Sequence, residues 1–212
     1  MTEDPVSQIA SVAWGNFPSG QSEREGEPPS GFAGGGGDVS PYKMKRTHRL
    51  IADAMLGKLA KWLRVLGFDV TYERWIEDQV LVRRAKNEGR DILTRDRRLA
   101  QRRWGNSIRF IVIEDDHWPN QVRQVVREFG RPPRKQVLSR CLRCNEPLNS
   151  IPRKEAAARV PPYVHRMQKR FFQCPTCRRI YWRGTHQNHI LNRLKKLLVQ
   201  DCSGQRATRR SP

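Results

Sequence analysis

No stretch of about 18 apolar residues occurs in the 212-residue chain, so no transmembrane helix is expected. The first 30 residues lack a basic region followed by an apolar core, so no secretory signal is expected and the protein reads as cytoplasmic. No basic amphipathic helix stands alone with a tryptophan or phenylalanine face, which disfavours an anionic membrane as partner. Cysteine is scarce: five residues without a secretion signal do not make a disulfide framework. Apolar residues make up only 37%, and the length suits one domain of ordinary size or two small ones. Basic residues are nearly missing from the first 40 positions, which hold Arg24 against six acids, a net of −5. The whole chain carries +20, so the remainder carries +25. A body that basic repels itself unless it meets a polyanion, and nucleic acid is the default partner.

Residues 1–45 read as a disordered leader, because the Pro28-Pro29-Ser30-Gly31 and Gly34–Gly37 runs cannot bury enough apolar surface to offset ordering entropy. The texture changes at His48. "RLIA", "FDVTYE", "DILT" and "IRFIVIE" are strand candidates. Between and after them come helical patterns. Leu56, Leu59, Ala60, Leu63 and Leu66 recur at helical spacing before Gly67. "EDQVLVRRAKNEG" has acids in its first turn, and "PNQVRQVVREFG" has proline near its start and glycine at its end. The alternation predicts an α/β unit over residues 46–131, with a mostly parallel sheet covered by helices on both faces. "RPPRKQ" reads as a linker. Residues 137–200 hold the cysteines and an amphipathic helix with Ile190, Leu191, Leu194, Leu197 and Leu198 on one face. Residues 201–212 read as a flexible basic tail with a free thiol at Cys202.

Open parallel sheets bind ligands beyond the carboxyl ends of their strands. Asp53 follows the first strand there, Asp96 the third, and Asp115 and Asp116 the fourth. Asp78 opens the helix after the second. Carboxylates gathered at one edge repel one another, and a hard divalent cation such as Mg²⁺ or Mn²⁺ removes that conflict. Such a cation can polarise a phosphodiester, activate a water and stabilise the leaving oxygen. Asp96 has a second reading, as the cap of the helix starting at Arg97. As a metal ligand it would work with Thr94, which would position a water or a neighbouring carboxylate. Lys58, Lys61, Arg95, Arg97 and Arg98 are the candidates for binding phosphates.

Cys141-Leu-Arg-Cys144 and Cys174-Pro-Thr-Cys177 are two CxxC knuckles with 29 residues between them. Four thiolates suit tetrahedral Zn²⁺ with no open position, hence a structural zinc ribbon with an inserted loop or helix. Tyr181 and Trp182 read as the ribbon's own small core, with base stacking as the alternative.

"IADAMLGKLAKWLRVLGFDV", "ILTRDRRLA", "CLRCNEPL", "VPPYV" and "CPTCRRIYWRGTH" together resemble the PIN-like ribonuclease domain of the Mut-seven C-terminal type. The likeness covers about residues 48–186. It implies a PIN-like α/β domain followed by a zinc ribbon, and an acidic Mg²⁺- or Mn²⁺-dependent site for RNA hydrolysis. The family's acid after strand one falls on Asp53, that of its "LTRD" on Asp96 and that of the middle helix on Asp78. A further acid falls on Asp115 or Asp116. The zinc ligands fall on Cys141, Cys144, Cys174 and Cys177. Thr185 stands where the family pattern has serine, and a hydroxyl remains. The expectation is a metal-dependent ribonuclease acting on RNA, with a ribosome or ribonucleoprotein as a further partner. The rival is a non-catalytic RNA- or ribosome-binding protein that keeps the fold.

Overall fold

A computed structural model describes residues 48–105, 108–182, 184, 189–194 and 196–198. The leader, Thr185, Cys202 and the basic tail lie outside the described residues.

Strand β1 (Arg49–Ala52) alternates its side chains between two faces. Leu50 and Ala52 enter one buried cluster and Ile51 the other. β3 (Asp91–Thr94) does the same, with Leu93 on the first face and Ile92 on the second. With β2 (Asp69–Tyr72) and β4 (Phe110–Val112) they form a parallel sheet in the order β2-β1-β3-β4. Helices cover both faces, as the alternation predicts. α1 (Gly57–Leu66) and α4 (Trp118–Phe129) pack on the first, α2 (Asp78–Glu88) and α3 (Arg97–Gln101) on the second.

Gly67 ends α1 with φ of 97°, and a Cβ there would lie 2.4 Å from the Gln136 carbonyl oxygen. Only glycine fits this close crossing. The segment read as a linker is therefore seated on α1: residues 134–136 form a 3₁₀ turn, and the Leu138 N–H donates to the Val65 carbonyl.

The cysteine-bearing part adds an antiparallel sheet of β5 (Asn149–Ile151), β6 (Phe171–Gln173) and β7 (Ile180–Trp182). The stretch between the knuckles holds β5, α5 (Arg153–Ala156) and α6 (Pro162–Met167). These close over a small core of Ala156, Val160, Val164, Phe171 and Ile180, with Trp182 packed against it. Residues 189–194 and 196–198 are helical. Their Ile190, Leu194, Leu197 and Leu198 join the cluster under α1 and α4, where Arg123 and Arg131 donate to the Leu197 and Leu198 carbonyls.

Candidate active site and cysteine centre

The central strands β1 and β3 pair Ala52 with Leu93, so Asp53 and Thr94 lie opposite each other at the carboxyl edge. The pairing runs one residue further, as the Asp53 N–H donates to the Leu93 carbonyl at 2.9 Å. Asp53 is 9% exposed and Thr94 fully buried. A buried hydroxyl and a buried carboxylate each need a partner. They find one another: the Thr94 hydroxyl donates to Asp53 Oδ2 at 2.6 Å. Asp53 Oδ1 accepts from the Ala54 N–H at 2.5 Å. Thr94 Oγ1 in turn accepts from the Asp96 N–H at 3.0 Å. Asp53, Thr94 and Asp96 thus form one hydrogen-bonded unit spanning two strands.

Asp96 also caps α3, because its Oδ1 accepts from the N–H groups of Arg98 and Leu99 at 2.7 and 3.1 Å. Its Oδ2 carries no hydrogen bond among the described residues. Neither Asp53 nor Asp96 makes an ion pair among the described residues. The other sequence candidates have their own partners. Asp78 opens α2, 3.5 Å from an Arg102 guanidinium nitrogen. Asp115 accepts from the His117 N–H at 2.6 Å and the Asn120 amide at 2.8 Å. The His117 N–H, with the Asn120 amide, holds the Asp115 carboxyl below the usual carboxylate range. Asp116 pairs with Arg95, and Arg97 with Glu114. Lys58 and Arg98 are exposed and Lys61 half-buried. Among the described residues, no three carboxylates approach as closely as the four cysteines do.

Those cysteines form the second centre. Cys141, Cys144, Cys174 and Cys177 place their sulfurs within 4.8 Å of one another. Both knuckles repeat one backbone design. The N–H of the residue after each, Asn145 or Arg178, donates to the carbonyl of Cys141 or Cys174. Both residues have positive φ, 69° and 60°. The second cysteine of each pair donates its N–H to the first sulfur, at 3.4 and 3.5 Å. Burial pushes the Cys144 and Cys174 thiols up. Thiolates this close repel one another, and a divalent cation removes the conflict. Tetrahedral zinc with bonds of about 2.3 Å would space its sulfurs by roughly 3.8 Å, so the cluster fits it. Tyr181 is buried with its hydroxyl 3.1 Å from the Cys141 sulfur, so it belongs to the core and presents no face to a base.

The knuckle is bolted to the α/β sheet by residues that carried no sequence signal. Arg64 on α1 is buried and donates to the carbonyls of Val70, Leu142 and Arg143 at 2.8, 2.8 and 3.0 Å. Burial lowers its pKa to about 10, against the pull of the Cys141 and Cys144 charges. Asn145 Oδ1 accepts from the Val70 N–H on edge strand β2 at 2.9 Å, and its amide donates to Asp69 at 2.7 Å.

The family model of the Mut7-C RNase domain matches residues 48–194, most of the chain. The chain belongs to the Mut7-C RNase domain family. No curated protein and no solved structure matches it. The Mut7-C domain spans both centres: the Asp53–Thr94–Asp96 unit and the four cysteines lie inside the matched residues. Membership makes this a ribonuclease-type protein with RNA as the implied substrate. Among the described residues of the Mut7-C domain, no helix is long and apolar enough to cross a membrane.

Proposed function

We propose that this protein is a metal-dependent ribonuclease. It hydrolyses RNA phosphodiester bonds at the carboxyl edge of a PIN-like sheet, with Mg²⁺ or Mn²⁺ held by Asp53 and Asp96. The observation that carries the reading is the buried Asp53 carboxylate, which shares the Thr94 hydroxyl with Asp96 and has no arginine opposite it among the described residues. A buried carboxyl group with only a hydroxyl and one N–H as partners has no cationic side chain beside it among the described residues, and oxygen donors of this kind suit a hard cation. Such a cation supplies Lewis acidity toward phosphodiester oxygens when bound.

The chain's own groups do the rest. Thr94 fixes the Asp53 carboxylate in one orientation. The α3 cap fixes Asp96 through Oδ1, leaving Oδ2 for a ligand or a proton. Arg98 and Lys58 are exposed cations for the RNA backbone. Arg95 and Arg97 would join them by exchanging Asp116 and Glu114 for phosphates. Asp78, Asp115 and Asp116 are supporting acids whose present partners would have to yield. The zinc ribbon of residues 137–200 takes a structural Zn²⁺ on its four cysteines, beside a nuclease unit of residues 46–131.

The test is a panel of labelled RNA and DNA strands with Mg²⁺ or Mn²⁺, run with wild type, Asp53→Asn and Asp96→Asn. We expect cleavage of RNA by wild type and a loss of at least about 100-fold in either variant, with RNA binding retained. Equal cleavage by wild type and Asp96→Asn rejects the assignment. Binding without cleavage by any of the three favours a non-catalytic RNA-binding role.

A further inference from the structure

Large apolar side chains left in water gather beside the acidic edge. Met55, Trp75 and Val80 are three of the five exposed ones among the described residues. Met55 lies in the 3₁₀ turn directly after Asp53. Trp75 lies between β2 and α2, and Val80 in the first turn of α2. Trp75 is the extreme case at 81% exposure. An indole is rarely left so open, since burying it is strongly favourable.

β1 and β2 pair Ala52 with Tyr72, so Asp53 and the Trp75 loop leave the sheet side by side at the same edge. The Tyr72 hydroxyl then crosses over α1's start and donates to the Ala54 carbonyl at 2.9 Å. Gly57 makes the crossing possible, because a Cβ there would lie 2.5 Å from that hydroxyl oxygen. The Arg74 guanidinium lies 5.0 Å from the Trp75 ring centre. An open aromatic with an arginine on it, beside the edge that carries Asp53 and Asp96, matches what single-stranded nucleic acid requires: a platform for a base and charge for the backbone.

We propose that Trp75 is a stacking platform for one unpaired base of the RNA whose backbone passes Asp53 and Asp96. The inference rests on the ribonuclease reading and adds the substrate class: single-stranded RNA, with little preference for base identity. Every base has a π-face, so stacking tolerates sequence. Bases inside an A-form duplex are already stacked and offer no face to an indole.

Binding is measured by fluorescence anisotropy on the full chain with Asp96→Asn, so that turnover does not interfere. That chain is compared with versions also carrying Trp75→Ala or Trp75→Phe. The probes are a short unpaired oligoribonucleotide, a duplex of the same length and an abasic strand. We expect Trp75→Ala to weaken unpaired RNA by roughly 5- to 100-fold and Trp75→Phe by less. Duplex and abasic strands should bind all three chains alike. Unchanged affinity of Trp75→Ala for the unpaired strand overturns the platform, as does an equal loss on all three probes or no binding of the unpaired strand at all. The ribonuclease reading is scored separately with Asp96 intact. Binding that depends on Trp75, without any cleavage by wild type, sinks that reading and leaves the platform. Cleavage by wild type, with KM for unpaired RNA unchanged in Trp75→Ala, sinks the platform alone.

Discussion

Thr94 is the residue on which the acidic edge turns, because one hydroxyl both donates to Asp53 and accepts from Asp96. Thr94→Val keeps the shape and removes both bonds. It should cost about 1–3 kcal/mol in urea unfolding, since a buried carboxylate oxygen loses its partner. Cleavage should fall at least about 10-fold while RNA affinity holds. Full activity in Thr94→Val would show that the orientation of Asp53 is set by something else. A different carboxylate contributes to the response to acid. Burial pushes Asp69 up, but hydrogen bonds from Arg90 at 2.7 Å and Asn145 at 2.7 Å hold it below its ordinary value of 3.8. A depressed carboxylate adds stability that is complete above its unfolded pKa and is lost as pH falls through the folded one. The stability gap between wild type and Asp69→Asn should therefore be flat above about pH 5 and narrow below about pH 4. A gap that widens on acidification would contradict this. Asp53 and Asp96 were legible in the sequence because each ends a short apolar run, and Thr94 because it sits between run and acid. Trp75 was not legible, since nothing local distinguishes an exposed indole from a buried one.

At the scale of elements, the sheet and its four helices could be read directly. Period-two and period-3.6 patterns are local properties, and Gly67 and Gly89 mark real helix ends with positive φ of 97° and 60°. What joins the elements had no local signature. Arg64 sits between Leu63 and Val65 and reads as an interruption of the α1 stripe, yet its guanidinium closes three carbonyls on β2 and the first knuckle. Asn145 reads as an ordinary turn residue, yet it completes the free edge of β2. Arg64→Met would leave three carbonyls without their donor beside an apolar side chain. It should lose roughly 3–5 kcal/mol of stability. It should also weaken metal binding by about 10- to 100-fold, as removal of groups that orient ligands does. Competition between Co²⁺ and a chromogenic chelator reads the second effect through thiolate absorption, independently of any cleavage assay. A cobalt spectrum and affinity equal to wild type would mean that Arg64 serves the helix alone.

For the whole molecule, the consequence is that the cysteine centre and the nuclease sheet should not unfold apart. Cys141, Cys174 and Tyr181 belong to the same buried cluster as Leu50, Leu59, Leu63 and Val70. The helical residues 189–194 and 196–198 close that cluster from the far side, against α4. A structural zinc contributes roughly 10–16 kcal/mol of apparent binding free energy, and a shared core transmits its loss. Trp62 and Trp118 stack at 4.3 Å with their planes 6° apart, on α1 and α4, so the near-ultraviolet dichroism that Trp118→Phe removes reports the sheet side. Stripping the metal with a chelator, or Cys174→Ser, should lower the melting temperature by more than about 10 °C. The indole signal should vanish in the same single transition as the far-ultraviolet signal. If the indole signal survives to its original temperature while the ribbon has melted, the two centres are independent units. The Arg64 and Asn145 contacts would then be ornaments of docking rather than its cause.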